Sequence, residues 1–188
     1  GDKYDESQRA VVAMYNEYFG GSMNSIVFQE MREKRSLAYQ ASSRYIMGSN
    51  KTDKNYNLAH IATQNDKVVE AFDAFNSLLD YMPVAENNFD LAKQSILKSI
   101  ATNRTTKQAI ISSYLTDKEY GRKENAQKKM YEQLQKMTFE DIKAFSEKNL
   151  KGQKRVYVIL GSKDQINFDE VKKFGDIEEL SLEEIFGY

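Results

Sequence analysis

A chain of 188 residues and 21.7 kDa has the length of one ordinary domain. Its 27 Lys and Arg residues nearly balance its 28 Asp and Glu residues, so it lacks the basic excess typical of nucleic-acid-binding domains. The absence of Cys excludes disulfides, thiolate metal sites and cysteine nucleophiles. The single histidine, His60, excludes an HxxEH or HExxH zinc site assembled within this chain.

The first third of the chain predicts two helices and a β-hairpin. Apolar residues at helical spacing predict a helix over 7–19 that ends at Gly20-Gly21. Ser22 is a good amino-terminal cap for a second helix extending to about residue 35. Partial alternation then predicts paired strands over 37–47 and 56–63, joined by a turn at Gly48-Ser49-Asn50 and Asp53.

Helices are predicted from residue 66 to residue 149. An apolar stripe over 66–82 advances by four and three residues and is closed by Pro83. Further apolar stripes fall at 89–100 and 110–115, and Thr138 with Asp141 has the spacing of a capping box. The wholly apolar run 156–160 predicts a strand buried on both faces, and we expect the tail after residue 168 to pack across the outside.

Together these elements indicate an α+β fold with two layers, in which helices pack on one face of a mostly antiparallel sheet. Three convincing strands are few for a sheet that carries six or seven helices, so we expect its first strand or strands to be missing. Residues 1–188 form a single predicted domain. The polar start lacks an initiator Met and shows no signal-peptide pattern, so we expect the chain to be a fragment of a longer protein, and its compartment stays open.

Three short segments carry chemistry-bearing residues, and each also has a plain structural interpretation. Gly20-Gly21-Ser22 could cradle an anion, but a tight turn is favoured because no phosphate-loop motif surrounds it. His60 is favoured as a structural residue, because zinc needs three or four ligands. The cations of segment 29–39 complement a helix carboxyl terminus, which by spacing alone favours ordinary helix-end charges.

The run YFGGSMNSIVFQEMREKRSLAY, residues 18–39, nevertheless resembles the glycine-rich helix-to-strand segment of the insulinase/pitrilysin-type zinc metallopeptidases. It departs mildly at Ile26-Val27, where a small residue and Leu are usual. The terminal strand VILG and the later Phe174-Gly175 are similar to the family in their order along the chain. The resemblance extends over nearly the whole chain and is most specific between Gly20 and Tyr39.

The resemblance implies the carboxy-terminal, non-catalytic half of a clam-shell peptidase. In that family the other half holds zinc through HxxEH, in the same polypeptide or in a separate subunit, so this chain alone should be inactive. The non-catalytic half contributes an Arg and a Tyr seven residues apart, here Arg32 and Tyr39, to bind the peptide substrate. No catalytic or metal-binding residue is expected in this chain, and zinc is expected on the partner.

The types of these two residues suit that role. A tyrosine hydroxyl remains a hydrogen-bond donor at neutral pH, and a guanidinium offers several donors and keeps its charge. Both can stabilise negative charge that develops on a substrate carbonyl without exchanging a proton. Two alternatives stay open: a non-enzymatic assembly domain of the same fold, and a small-ligand or peptide-binding module unrelated to proteolysis.

Overall fold

The computed structural model describes residues 3–48, 52–104, 106–122 and 125–187. Most of these residues are helical, and the described sheet is a single antiparallel hairpin. The strands are β1 (Gln40–Ile46) and β2 (Tyr56–Ala62). The helices are α1 (Arg9–Phe19), α2 (Ile26–Phe28, continued by a π-helical turn Gln29–Lys34), α3 (Val68–Asp80), α4 (Glu86–Thr102), α5 (Lys107–Glu119), α6 (Ala126–Lys136), α7 (Phe139–Asn149), α8 (Phe168–Val171) and α9 (Leu182–Phe186).

Helix α1 lies at the centre of the core, and Gly20, which directly follows it, lets β1 approach closely. Tyr15, Tyr18 and Phe19 are almost completely buried. A Cβ atom on Gly20 would lie 2.2 Å from the carbonyl oxygen of Ser43 in β1, so no larger residue fits there without a shift of backbone. The predicted turn at Gly20-Gly21 is therefore confirmed, and its physical reason is the contact between helix and strand.

The hairpin is aligned in register from Gln40 opposite Ala62 to Ile46 opposite Tyr56. On the other edge of β1 the side chain of Asn16 substitutes for a neighbouring strand. Its Nδ2 donates to the carbonyl of Tyr45 at 2.9 Å, and its Oδ1 accepts from the Tyr45 amide at 2.7 Å. The Ser43 amide on the same edge donates to the carbonyl of Gly20 at 3.4 Å. Helix α1 thus closes this edge of the hairpin.

The helices α3, α4, α6 and α7 complete the main core around α1. Phe145 of α7 contacts both Tyr15 and Tyr45, with ring centroids 5.2 and 4.9 Å apart. The predicted capping box is confirmed, because Thr138 and Asp141 hydrogen-bond reciprocally at the start of α7. The other side of α3 belongs to a second, smaller cluster of apolar residues: Val68, Val69, Phe72, Ile159, Ile166, Phe168 and Val171.

Several expectations need correction. The second helix begins at Ile26 with Ser25 as its cap, not near Ser22, because the chain first has to leave the glycine turn. The run 156–160 is not a strand buried on both faces; α3 covers one face only, and no strand pairs with it in the described residues. Ser49 and Asn50 of the predicted turn lie outside the described residues.

The carboxy-terminal half presents apolar side chains at two places. The predicted stripe of α5 lies on an exposed surface of the helix: Ile110, Ile111, Tyr114 and Leu115. In the tail, Ile166 and Val171 are buried and Phe174 packs on Phe72, with ring centroids 5.3 Å apart. Beyond residue 176 the described apolar side chains of the tail are exposed. The α+β class with an antiparallel hairpin holds, within a chain richer in helix than in strand.

Candidate functional site

Arg32 lies on the π-helical turn that continues α2. The preceding residue, Met31, is completely buried and fixes this turn against the core. Short π-helical turns inside helices are frequent at functional sites. The turn directs Arg32 away from the core, and its side chain is 44% exposed.

A tight connection then brings the chain from the helix to β1. Ser36 has a φ of 52°, the left-handed conformation that is uncommon for residues other than glycine. Two backbone hydrogen bonds hold the connection, from Ser36 to the carbonyl of Arg32 at 3.1 Å and from Leu37 to the carbonyl of Met31 at 2.9 Å. Because Leu37 and Ala38 turn into the core, the next side chain projects outward.

That next side chain is Tyr39, which is 82% exposed while its backbone is fixed. Its amide donates to the carbonyl of Ala62 at 2.8 Å, which extends the hairpin pairing by one residue. The hydroxyl of Thr63 donates to the carbonyl of Leu37 at 2.6 Å and holds the same crossing from the β2 side. The phenol is therefore mobile only about its own side-chain bonds.

The structure brings Arg32 and Tyr39 together. The guanidinium carbon of Arg32 lies 5.6 Å from the centroid of the Tyr39 ring and 5.0 Å from that of Phe28. Cation–π contacts of this kind are worth about 0.5–1 kcal/mol each at exposed sites. Two aromatic rings thus restrain the guanidinium, so it is oriented before any ligand arrives.

The polar ends of the pair are available. In the described part of the chain, neither the Arg32 guanidinium nor the Tyr39 hydroxyl makes a hydrogen bond. The one ion pair of Arg32 there joins its Nε to Glu33 at 3.6 Å, and exposed pairs of this kind stabilise little. An anionic or carbonyl oxygen could therefore accept from both side chains without displacing a strong internal contact.

The neighbouring charges leave this surface slightly positive. Glu30, largely buried, pairs with Lys34 at 2.5 Å and with Arg35 at 3.9 Å. One carboxylate therefore offsets these two flanking cations only in part, while Glu33 lies beside Arg32. A surface of this charge favours oxygen acceptors over cationic ligands.

The other sequence candidates do not join this pair. His60 is exposed on β2, opposite Ser42, and no group of three possible metal ligands occurs among the described residues. Gly20 and Gly21 serve close backbone contacts. Sequence reasoning missed Phe28; its position four residues before Arg32 on one helix was the available signal. No described helix combines the length and apolar character needed to cross a bilayer.

These features define an α-rich α+β domain that presents a guanidinium, Arg32, beside an exposed phenol, Tyr39, on its surface. The chain belongs to the family described as the peptidase M16 inactive domain, whose model matches residues 1–96. This confirms the resemblance carried by residues 18–39. A search of curated proteins found no significant match.

Solved structures support the same fold. A crystal structure of a peptidase M16 inactive domain from Pseudomonas fluorescens superposes with a TM-score of 0.61 at 22% identity, over 80% of this chain and 35% of that one. A conserved protein from Enterococcus faecalis V583 gives a TM-score of 0.65 at 17% identity, with the same coverage. The chain therefore spans about a third of the length of these two proteins.

Proposed function

We propose that this domain is the substrate-binding, non-catalytic half of a zinc metalloendopeptidase, and that Arg32 and Tyr39 bind the peptide. In this proposal zinc and the HxxEH motif lie on a catalytic half, in the same polypeptide or in a separate subunit. Residues 1–188 act as a single domain, with helices on one face of a sheet whose first strands come from elsewhere. Membership in the family supports the assignment to a non-catalytic half.

The observation that carries the proposal is the geometry of the pair. Two donors that make no hydrogen bond in the described part of the chain project from the helix-to-strand crossing, and the guanidinium contacts two aromatic rings. Donors that are already in place before negative charge develops on a carbonyl oxygen lower the barrier to attack of water on that carbonyl group. The reason is that the donors need no reorganisation during the reaction. The water that attacks would be activated by zinc and a Glu of the other half.

The test is peptide cleavage by this chain combined with an HxxEH-bearing half, followed with a quenched fluorescent peptide. Neither component alone should cleave. Tyr39→Phe keeps the ring beneath Arg32 and removes only the hydroxyl, so kcat should fall by about 10²–10³ if that hydroxyl stabilises the oxyanion. Arg32→Met should lower kcat/KM similarly, because the guanidinium is lost while the aliphatic stem is retained.

A third variant separates donation from positioning. Tyr39→Leu removes the hydroxyl and also the ring that restrains Arg32, so it should raise KM beyond the value for Tyr39→Phe. The matched controls are Tyr81→Phe and Arg104→Met, which alter exposed residues in the connections after α3 and α4 and should leave turnover unchanged. If both Arg32→Met and Tyr39→Phe gave turnover within twofold of the unmodified complex, the two residues would be ordinary surface residues without a role in peptide binding.

The second candidate function is a non-enzymatic assembly domain of the same fold. The specific observation in its favour is the family description itself, which labels the domain inactive. Stable association with an HxxEH-bearing half, without cleavage of any peptide in a randomised library, would favour this alternative.

A further inference from the structure

A cavity of about 540 Å³ lies beside α5, between that helix, the start of α1 and the start of α6. Its volume is within the range of roughly 300–1,000 Å³ that is typical of ligand pockets. Ile110 and Tyr114 of α5 line it, and Arg9, Arg104 and Arg122 bring three guanidinium groups to it. The cavity therefore combines apolar surface with cations, which suits an apolar ligand that also carries negative charge.

Ion pairs hold two of these three cations in place. Arg122 pairs with Glu6 at 2.8 Å and with Asp117 at 3.0 Å, and its side chain is only 12% exposed. Arg9 also pairs with Glu6, at 3.0 Å. The third cation, Arg104, is exposed and has no carboxylate partner within the described residues. One cation that lines the cavity is therefore available to pair with an incoming carboxylate.

The sequence around the cavity carries a basic excess that the chain as a whole lacks. Residues 104–136 contain eight Lys and Arg against four Asp and Glu, whereas the net charge of the whole chain is -1. The opposite excess is concentrated in residues 176–187, which contain five Asp and Glu and no Lys or Arg. Because surfaces of opposite charge attract and orient one another, these two regions are electrostatically complementary.

The acidic segment also presents apolar side chains in the pattern of a docking helix. Leu182, Ile185 and Phe186 of α9 are 72%, 55% and 59% exposed. Their spacing of i, i+3 and i+4 places them on one face, as in amphipathic helices that bind in apolar grooves. A reciprocal capping box between Ser181 and Glu184 fixes the start of α9, so this face is formed before it meets a partner.

We propose that α9 of one copy of this chain docks in the cavity beside α5 of a second copy. Leu182 and Ile185 contact Ile110 and Tyr114 of the other copy, and the acids that flank them pair with Arg104. A helix as short as α9 has little stability alone, and docking supplies the tertiary contacts that it lacks. Two such contacts, one in each direction, form together in a dimer with two-fold symmetry. This docking is independent of the proposed peptide site.

Sedimentation equilibrium of the full chain measures this contact, because docking between copies makes the average mass rise with protein concentration. Arg104→Glu reverses the charge of the available cation, and Ile185→Glu places a charge on the apolar face of α9. Each variant should weaken self-association by about tenfold or more. The matched controls, Arg44→Glu and Leu58→Glu, make the same kinds of change at exposed positions of the hairpin and should associate as the unmodified chain does.

Mixing the two variants distinguishes this contact from other kinds of association. Arg104→Glu keeps an intact α9 and Ile185→Glu keeps an intact cavity, so an equimolar mixture should associate more tightly than either variant alone. Raising the NaCl concentration from about 0.1 to 1 M shortens the screening length from about 10 to 3 Å and should weaken the association. The proposal is overturned if the full chain stays monomeric or if both variants associate as strongly as the unmodified chain. It is also overturned if the mixture associates no better than its components, which is the result expected for docking of α9 within its own copy.

Discussion

Removal of the hydroxyl group should destabilise the protein at Tyr18 but not at Tyr15, the two buried tyrosines of α1 whose hydroxyl groups differ in their partners. The Tyr18 hydroxyl donates to the carbonyl of Pro83 at 2.7 Å and accepts from the amide of Ala85 at 3.1 Å. Burial, only partly opposed by the hydrogen bond from Ala85, raises the pKa of Tyr18 to about 12, so the hydroxyl stays neutral at physiological pH. The Tyr15 hydroxyl is buried and has no hydrogen-bond partner in the described structure.

The magnitudes follow from these contacts. Tyr18→Phe removes two neutral hydrogen bonds, each worth about 1 kcal/mol net, and leaves two backbone groups without their partner. We expect a loss of about 2 kcal/mol, which corresponds to a decrease in Tm of about 4–8 °C for a domain of this size. Tyr15→Phe keeps the ring contacts with Phe19 and Phe145 and removes an unsatisfied polar atom. It should leave stability unchanged or raise it by up to about 2 kcal/mol.

Urea unfolding followed by far-UV circular dichroism measures both values, with equal m-values required for the comparison. The tyrosines pack against different rings, so the double variant should equal the sum of the single changes within about 0.5 kcal/mol. The reasoning fails if Tyr18→Phe costs less than about 0.5 kcal/mol. It also fails if Tyr15→Phe destabilises by more than about 1 kcal/mol, because that hydroxyl would then have a partner.

Three further changes test the local structure. Gly20→Ala should lower the free energy of unfolding by about 2–3 kcal/mol in urea titrations, because its Cβ would collide with the backbone of Ser43. Partial burial favours neutral Glu6, but hydrogen bonds from Arg122 and other neighbours lower its pKa from 4.5 to about 2. The stabilisation by ionised Glu6 is present above pH 4.5 and is lost as the pH falls towards 2. In Glu6→Gln the free energy of unfolding should therefore decrease by about 1 kcal/mol less over this pH range, a value that allows for the partial exposure of the carboxylate. Ser36→Gly should raise the free energy of unfolding by up to about 1 kcal/mol, because glycine adopts a φ of 52° without steric cost.

Local patterns predicted several elements of the fold well. Helix α1, the hairpin, α3 and the capping box of α7 each depend on residues close in sequence, so periodicity and capping chemistry were sufficient. The start of the second helix was misplaced because Ser22 and Ser25 are equally good caps. Only the exit of the chain from the glycine turn distinguishes them.

Burial was harder to predict where it depends on residues that are distant in the sequence. An apolar run looks buried in the sequence whether or not anything covers it, so 156–160 was expected to lie inside, and the apolar stripe of α5 gave no sign that it would be exposed. In the described structure both present apolar side chains to solvent. A hydrophobic pattern shows which face of a segment could be buried, but the tertiary neighbours of the segment determine whether that face is buried.

The candidate site shows the same division between local and tertiary causes. A spacing of seven residues between Arg32 and Tyr39 fits many geometries, and neither the π-helical turn nor the left-handed Ser36 is signalled by composition. Both arise because Met31 and Leu37 must reach the core on either side of one tight crossing. The stack of Arg32 on Tyr39 is thus a consequence of packing beneath it. Substitutions that reduce the packing of the Met31 side chain should therefore separate Arg32 from Tyr39 while leaving both of those side chains intact.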